Sequence, residues 1–113
     1  MPRDYKIFLE DILEAVERIV AYTRDESDFT ADQRTLDAVI RNLLVIGEAV
    51  KSISTSVRHK HPAVEWRKWA GFRDVLIYEY FGIKTDVIRD VVKTKLPSLR
   101  DEIRKMLAED QDR

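Results

Sequence analysis

The strongest constraint in this sequence is a spacing of apolar residues that recurs at intervals of three and four. Tyr5, Leu9, Ile12, Val16 and Ile19 step by four, three, four and three, which places them on one stripe of an α-helix. That stripe predicts a first helix from about residue 3 to Arg24, stopping in Asp25-Glu26-Ser27-Asp28. Thr30-Ala31-Asp32-Gln33 reads as a capping box, with Thr30 bonding forward and Gln33 bonding back. Behind it, Leu36, Ile40, Leu43, Gly47, Val50 and Ile53 mark a second long helix. Val39, Leu44, Val45 and Ile46 make it apolar nearly all round, so it is expected to be the central, most buried element.

Ser54-Thr55-Ser56 is expected to end that helix, followed by a loop through His59-Lys60-His61-Pro62. Proline biases the residue before it away from helix. A short turn bearing Trp66 and Trp69 then leads, across Gly71, into a helix from Phe72 to Phe81, with Gly82 as its C-cap. Thr85 or Asp86 can cap the last segment, where Ile88, Val92, Leu96, Leu99, Ile103 and Met106 keep helical spacing. Pro97 lies inside it and is expected to kink or split it near Leu96. The 113 residues include only three Gly and three Pro. No strand-like alternation and no internal repeat is visible. The expectation is one all-α domain over 1–113, an antiparallel bundle of about five helices.

Composition narrows the function classes. Hydrophobic residues are 44% and charged residues 36%, which excludes a disordered or collagen-like chain. No 18-residue stretch is free of charge, so no membrane helix is expected. The start, Met1-Pro2-Arg3-Asp4-Tyr5, does not resemble a secretory signal. Without Cys there is no disulfide framework, thiolate metal site or Cys nucleophile. A cytoplasmic protein is expected.

The formal net charge is -1, which argues against a uniformly basic nucleic-acid binder. The distribution is uneven, with nine acids and four bases in residues 1–32. Arg58, Lys60, Arg67, Lys68 and Arg73, against Glu65 alone, form the segment most suited to a polyanion. His59 and His61 read as solvated loop residues, since no carboxylate ligands accompany them. Glu10, Asp11, Glu14 and Glu17 read as a solvated face of the first helix. No phosphate loop, zinc-protease motif or nucleophile elbow is present. No metal and no cofactor is expected.

Two strings carry more. One is Ala70-Gly71-Phe72-Arg73-Asp74-Val75-Leu76-Ile77-Tyr78-Glu79-Tyr80-Phe81-Gly82; the other is Arg41-Asn42-Leu43-Leu44-Val45-Ile46-Gly47-Glu48-Ala49. With the opening Asp4-Tyr5 helix, Asp37-Ala38-Val39-Ile40, the His61-Pro62…Trp66-Arg67 joint and Leu96-Pro97, they resemble the HEPN superfamily. The resemblance is to its HepT-like branch, prokaryotic toxins paired with minimal nucleotidyltransferases, and it covers nearly the whole chain. The hallmark of that superfamily is R-x-x-x-x-H-x-Y, whose Arg and His serve a metal-independent ribonuclease site. Here it reads Arg73-x-x-x-x-Tyr78-x-Tyr80, with Tyr78 in place of the His and Asp74 at the polar position after the Arg.

Metal-free RNA cleavage needs a base for the 2′-hydroxyl, an acid for the leaving oxygen and a cation for the phosphorane. Arg73 suits the cation role through its bidentate fork. Tyr, with a pKa of about 10, is a poor base near neutrality, whereas His at about 6.5 is not. At roughly 100° per residue, Arg73 and Tyr78 point about 140° apart on one helix. One helix therefore cannot close both onto one phosphate, and a two-fold homodimer can. The resemblance implies the same: a shared cleft lined by the motif, an RNA substrate, and a nucleotidyltransferase antitoxin that transfers AMP to Tyr80. Three readings stay open: an active toxin, a catalytically silent homologue that binds RNA and docks the antitoxin, and a purely structural helical dimer. In the last, Arg73 is merely ion-paired, and Tyr78 and Tyr80 merely pack. Trp66, Trp69, Phe72 and Phe81 are more aromatic surface than one small core needs, so some of them are expected at the subunit interface.

Overall fold

The computed structural model describes residues 5–111. Helix α1 spans Tyr5–Thr23, α2 Gln33–Ser52, α3 Thr55–Lys60, α4 Trp66–Tyr78, α5 Thr85–Asp90 and α6 Leu96–Gln111. Single 3-10 turns at Phe29–Ala31 and Tyr80–Gly82 and a π turn at Val91–Lys95 complete the path. No strand occurs among the described residues. Since α5, the π turn and α6 follow one another without a break, the expected all-α bundle of about five helices is what forms.

The apolar stripes explain the packing. Leu9, Ile12, Val16 and Ile19 of α1 are all buried, as are Leu36, Val39, Ile40, Leu43, Ile46 and Val50 of α2. Each such side chain contributes about 1.5–3 kcal/mol on leaving water. α2 packs against α1 on one flank and α4 on the other, and α6 closes over α1. The second helix is thus the central one, as its all-round apolar pattern predicts.

The boundaries differ from expectation where short polar side chains chose other partners. Asp32, not Thr30, caps α2: its carboxylate accepts from the Thr35 amide at 3.1 Å and the Thr35 hydroxyl at 2.6 Å. Gln33 reaches forward to Asp37 at 2.8 Å instead of back. Thr30 belongs to a separate turn capped by Asp28. Ser54 does not end α2, which stops at Ser52; it caps α3 through the Val57 amide. His59 therefore lies in a helix and not in a loop. Gly71 does not divide a turn from a helix, because α4 is continuous from Trp66. Trp66 and Trp69 then fall on its inner face and are buried within the chain, and the Trp66 indole donates to the His61 carbonyl at 2.9 Å. Gly82 sits in a 3-10 turn with negative φ, so it is not a left-handed cap.

Pro97 acts as expected, by a specific device. Its ring would collide with the carbonyl four residues earlier in a regular helix. The chain widens into the π turn just before it, with the Leu96 amide bonding Val91.

α4 approaches α2 closely at Gly47. A Cβ placed on Gly47 would lie 2.2 Å from Arg73 Cβ and 2.7 Å from its Cγ. Gly47 is thus the position that lets α4 lie on α2 with the Arg73 stem across it. A Cβ on Gly71, by contrast, would meet nothing within 4 Å. Glycine in a helix interior normally costs roughly 0.5–1 kcal/mol against alanine. Gly71→Ala is therefore expected to raise stability by about that amount. Gly47→Ala is expected to lower it, since overpacking costs typically about 1–3 kcal/mol. Urea midpoints of the two variants measure the opposite signs directly.

Candidate functional site

The α2–α4 crossing carries a chain of alternating charges. Arg73 Nη1 donates to Asp74 at 2.9 Å, and Nη2 donates to Glu48 at 2.6 Å. Lys51 Nζ donates to the same Asp74 oxygen at 3.2 Å. The order is Lys51, Asp74, Arg73, Glu48, alternating between the two helices except where Asp74 and Arg73 adjoin. Gly47 makes this possible, because the Arg73 stem lies against α2 before its guanidinium emerges. The Arg73 side chain is 19% exposed and Glu48 57%. The Arg73 Nε–H is enclosed and has no acceptor among the described residues.

The charges shift each other's protonation in the expected sense. The Asp74 carboxyl is held below its ordinary value, first by the Arg73 hydrogen bond and then by that of Lys51, against the opposing effect of burial. The Arg73 guanidinium is raised above its ordinary value, chiefly by Asp74, with burial opposing and Glu48 adding. Arg73 is a fixed cation at any accessible pH.

Arg73 and Asp74 are thus brought together, and Tyr78 is not. Tyr78 is 80% exposed, and its hydroxyl has no partner among the described residues. Five residues on from Arg73, it leaves α4 on another face. Tyr80 lies beyond the end of α4, in the 3-10 turn, so an ideal helix does not describe its direction. Its hydroxyl donates to Asp37 of α2 at 3.4 Å, a long bond, and the residue is 43% exposed. Val75, Ile77 and Phe81 complete an exposed apolar rim around this end of α4, with Phe81 99% exposed. Of the four aromatic residues expected at an interface, Phe81 is the one left in solvent; Phe72 is half-buried against the core.

The basic segment does not form one free patch. Arg58 donates to the Val50 carbonyl at 2.7 Å near the end of α2, and Lys68 pairs with Glu65 at 2.9 Å. Lys60 and Arg67 have no ion pair among the described residues. Glu17 binds Arg100 and Arg104 of α6, so one of the α1 carboxylates joins two helices and is not merely solvated. Among the described residues, no three His, Asp or Glu are grouped to hold a metal ion. No helix among them is long and apolar enough to cross a membrane.

Sequence reasoning assigned no role to Glu48, Lys51 or Asp37. The available signal was Gly47, a glycine in the middle of an apolar helix, which marks a close approach of another chain segment.

Comparison with known proteins identifies a family. A family described as "Ribonuclease HepT-like" matches residues 12–106. The "Probable ribonuclease HepT" of Thermococcus cleftensis is 44% identical over 108 residues, covering 94% of this chain and 98% of that protein. A Methanocaldococcus jannaschii protein named "Gamma-glutamylcyclotransferase and putative RNase" is 41% identical over 111 residues. The match takes in 96% of this chain, which spans about half the length of that relative. No solved structure matches.

The charge chain has a pH signature. A carboxylate whose folded pKa is depressed stabilises fully above its unfolded value, about 3.9 for Asp, and loses that contribution as pH falls through the folded value. The stability difference between the protein and Asp74→Asn is therefore expected to be constant down to about pH 4 and to close below it. Urea midpoints against pH for both proteins provide the check. A difference that persists unchanged in stronger acid means that the Asp74 charge contributes nothing.

Proposed function

The chain belongs to the ribonuclease HepT-like family, and from that premise we propose that it is a metal-independent ribonuclease and the toxin of a toxin–antitoxin pair. It works as a homodimer in the cytoplasm, and its substrate is RNA. The observation that carries this reading is Arg73, a cation fixed at the surface by two carboxylates and bordered by an exposed apolar rim. Its fork meets the scissile phosphate and stabilises the charge that develops there. Asp74, itself tied to Lys51, holds the fork in place. Tyr78 occupies the proton-transfer position. Because it points away from the Arg73 of its own chain, the pair meets across the dimer, Tyr78 of one protomer facing Arg73 of the other.

The rim supports the dimer. Phe81, almost wholly in water, meets the Tyr80 ring edge-on with centroids 5.2 Å apart, and Val75, Ile77 and Tyr78 at the end of α4 are also large and at least 41% exposed. Large apolar residues exposed together in one short segment favour a partner surface. Phe81→Asp is expected to turn a dimer into a monomer in light scattering at micromolar concentration. A wild-type protein that is monomeric there contradicts the shared cleft.

Regulation falls to Tyr80, the proposed acceptor of AMP from a nucleotidyltransferase antitoxin. The Tyr80 oxygen bonds the α-phosphorus of ATP, pyrophosphate leaves, and the phenolic proton passes to solvent. Tyr22 is as exposed as Tyr80, so exposure does not select between them. Position does: a phosphodiester on Tyr80 adds charge and bulk beside the site. Intact mass and peptide mapping after incubation with the antitoxin and ATP test this. Addition at Tyr22 with Tyr80 untouched contradicts it.

A second reading, a catalytically silent homologue that binds RNA and docks the antitoxin, draws on two observations. Both terminal nitrogens of Arg73 already hold carboxylates, and a tyrosine stands where the hallmark has histidine. The two readings separate in an RNA cleavage assay in chelator. Slow wild-type cleavage is expected, abolished by Arg73→Ala. Tyr78→His is expected to raise it toward the roughly 10²–10⁴-fold that a positioned acid–base group contributes. No cleavage by either protein, with the fold and dimer intact, favours the silent homologue.

A further inference from the structure

Glu48 differs from the other carboxylate on Arg73 in a way that bears on chemistry. Asp74 is shared between Arg73 and Lys51, so it stays neutralised when Arg73 turns to another anion. Glu48 has Arg73 as its one ion-pair partner among the described residues, and it is more than half exposed. When a phosphate takes the Nη2 side of the fork, Glu48 is released from that bond. It is then left next to the phosphate as an ionised acceptor without a donor.

Glu48 also forms one edge of a groove of about 340 Å³ between α1 and α2. Besides Glu48 it is lined by the apolar Phe8, Leu44, Val45 and Ala49 and by the polar Asp11, Arg41 and Ser52. The volume is at the lower end of ligand sites, about 300–1,000 Å³. Phe8 is a ring on which a base can stack. Arg41 has no ion pair among the described residues and suits a neighbouring phosphate. Glu48 thus both lines the groove and bonds Arg73.

We propose that Glu48 is the general base of this site, accepting the 2′-hydroxyl proton of a nucleotide seated in the α1–α2 groove. The assignment rests on the ribonuclease reading above and supplies the proton acceptor that Tyr78 does not. As the proton passes to Glu48, the 2′-oxygen bonds phosphorus and the bond from phosphorus to the 5′-oxygen breaks. The leaving 5′-oxygen takes a proton from water, and the hydroxide so formed takes back the proton held by Glu48. The products are a 2′,3′-cyclic phosphate and a 5′-hydroxyl, with no oxidant, metal or co-substrate consumed. Among the charged groups, Arg73 of α4 bonds Glu48, Asp74 and Lys51 follow beyond Arg73 in the charge chain, and Arg41 of α2 and Asp11 of α1 line the groove with it.

The test is single-turnover cleavage of a short RNA in chelator across pH, for the full-length protein and Glu48→Gln, with binding of the 2′-deoxy analogue measured in parallel. Wild-type cleavage is expected to fall in acid and to leave cyclic phosphate ends. Glu48→Gln is expected to cleave about 10²-fold more slowly or less, to lose that acid limb, and to bind the 2′-deoxy analogue at least as well. Three results overturn the assignment while leaving a ribonuclease: cleavage by Glu48→Gln at the wild-type rate, an acid limb unchanged in that variant, or a rate loss matched by lost binding. The last means that Glu48 only holds Arg73. Absence of cleavage by the wild type and by Tyr78→His overturns the ribonuclease reading and the Glu48 assignment together.

Discussion

The approach of α4 to α2 at Gly47 is the constraint on which the rest of this structure depends. With no side chain there, the Arg73 stem crosses α2 directly, and its guanidinium emerges between Glu48 and Asp74. A larger residue at 47 would push α4 outward and separate Arg73 from Glu48. It would also lengthen the already long Tyr80–Asp37 bond. One missing Cβ therefore couples the packing of the two helices to the position of the cation.

The charges at this crossing are arranged for exchange. Two cations and two carboxylates alternate from Lys51 to Glu48, so the cluster is neutral before any ligand arrives. A neutral cluster spares the chain the repulsion of a preformed basic pocket and fits its net charge of -1. Surface pairs of this kind are individually weak, so a phosphate that engages both Nη groups can compete with them. The enclosed part of the Arg73 side chain keeps the fork aimed while its partners change.

Much of the fold was legible because helical periodicity reports burial directly. The stripes of α1 and α2 predicted the core residues, and the broad apolar pattern of α2 marked it as central. Pro97 announced the disturbance near Leu96, which the chain meets with a π turn. Polar ends were less legible, because Thr30, Asp32 and Ser54 each had several backbone amides within reach, and only the packed chain selects among them. Trp66 and Trp69 were misplaced for a related reason. A glycine at 71 suggests a helix break, whereas α4 passes through it and its register turns both indoles inward. At the site, Arg73 and Asp74 could be found from their string alone. Glu48 and Lys51 could not be assigned, because their role depends on a contact between residues 25 and 23 positions apart.

The central claim is that Arg73, held between Glu48 of α2 and Asp74 of α4, is the group that meets RNA phosphate. The most direct measurement is the NMR signal of the Arg73 side-chain nitrogens, titrated with an RNA analogue that binds but lacks the reactive 2′-hydroxyl. The account predicts a saturable shift of the Arg73 guanidinium signals, with the Arg100 and Arg104 signals at the distant Glu17 pair unmoved. Saturable binding of the analogue that leaves the Arg73 signals where they were would contradict it.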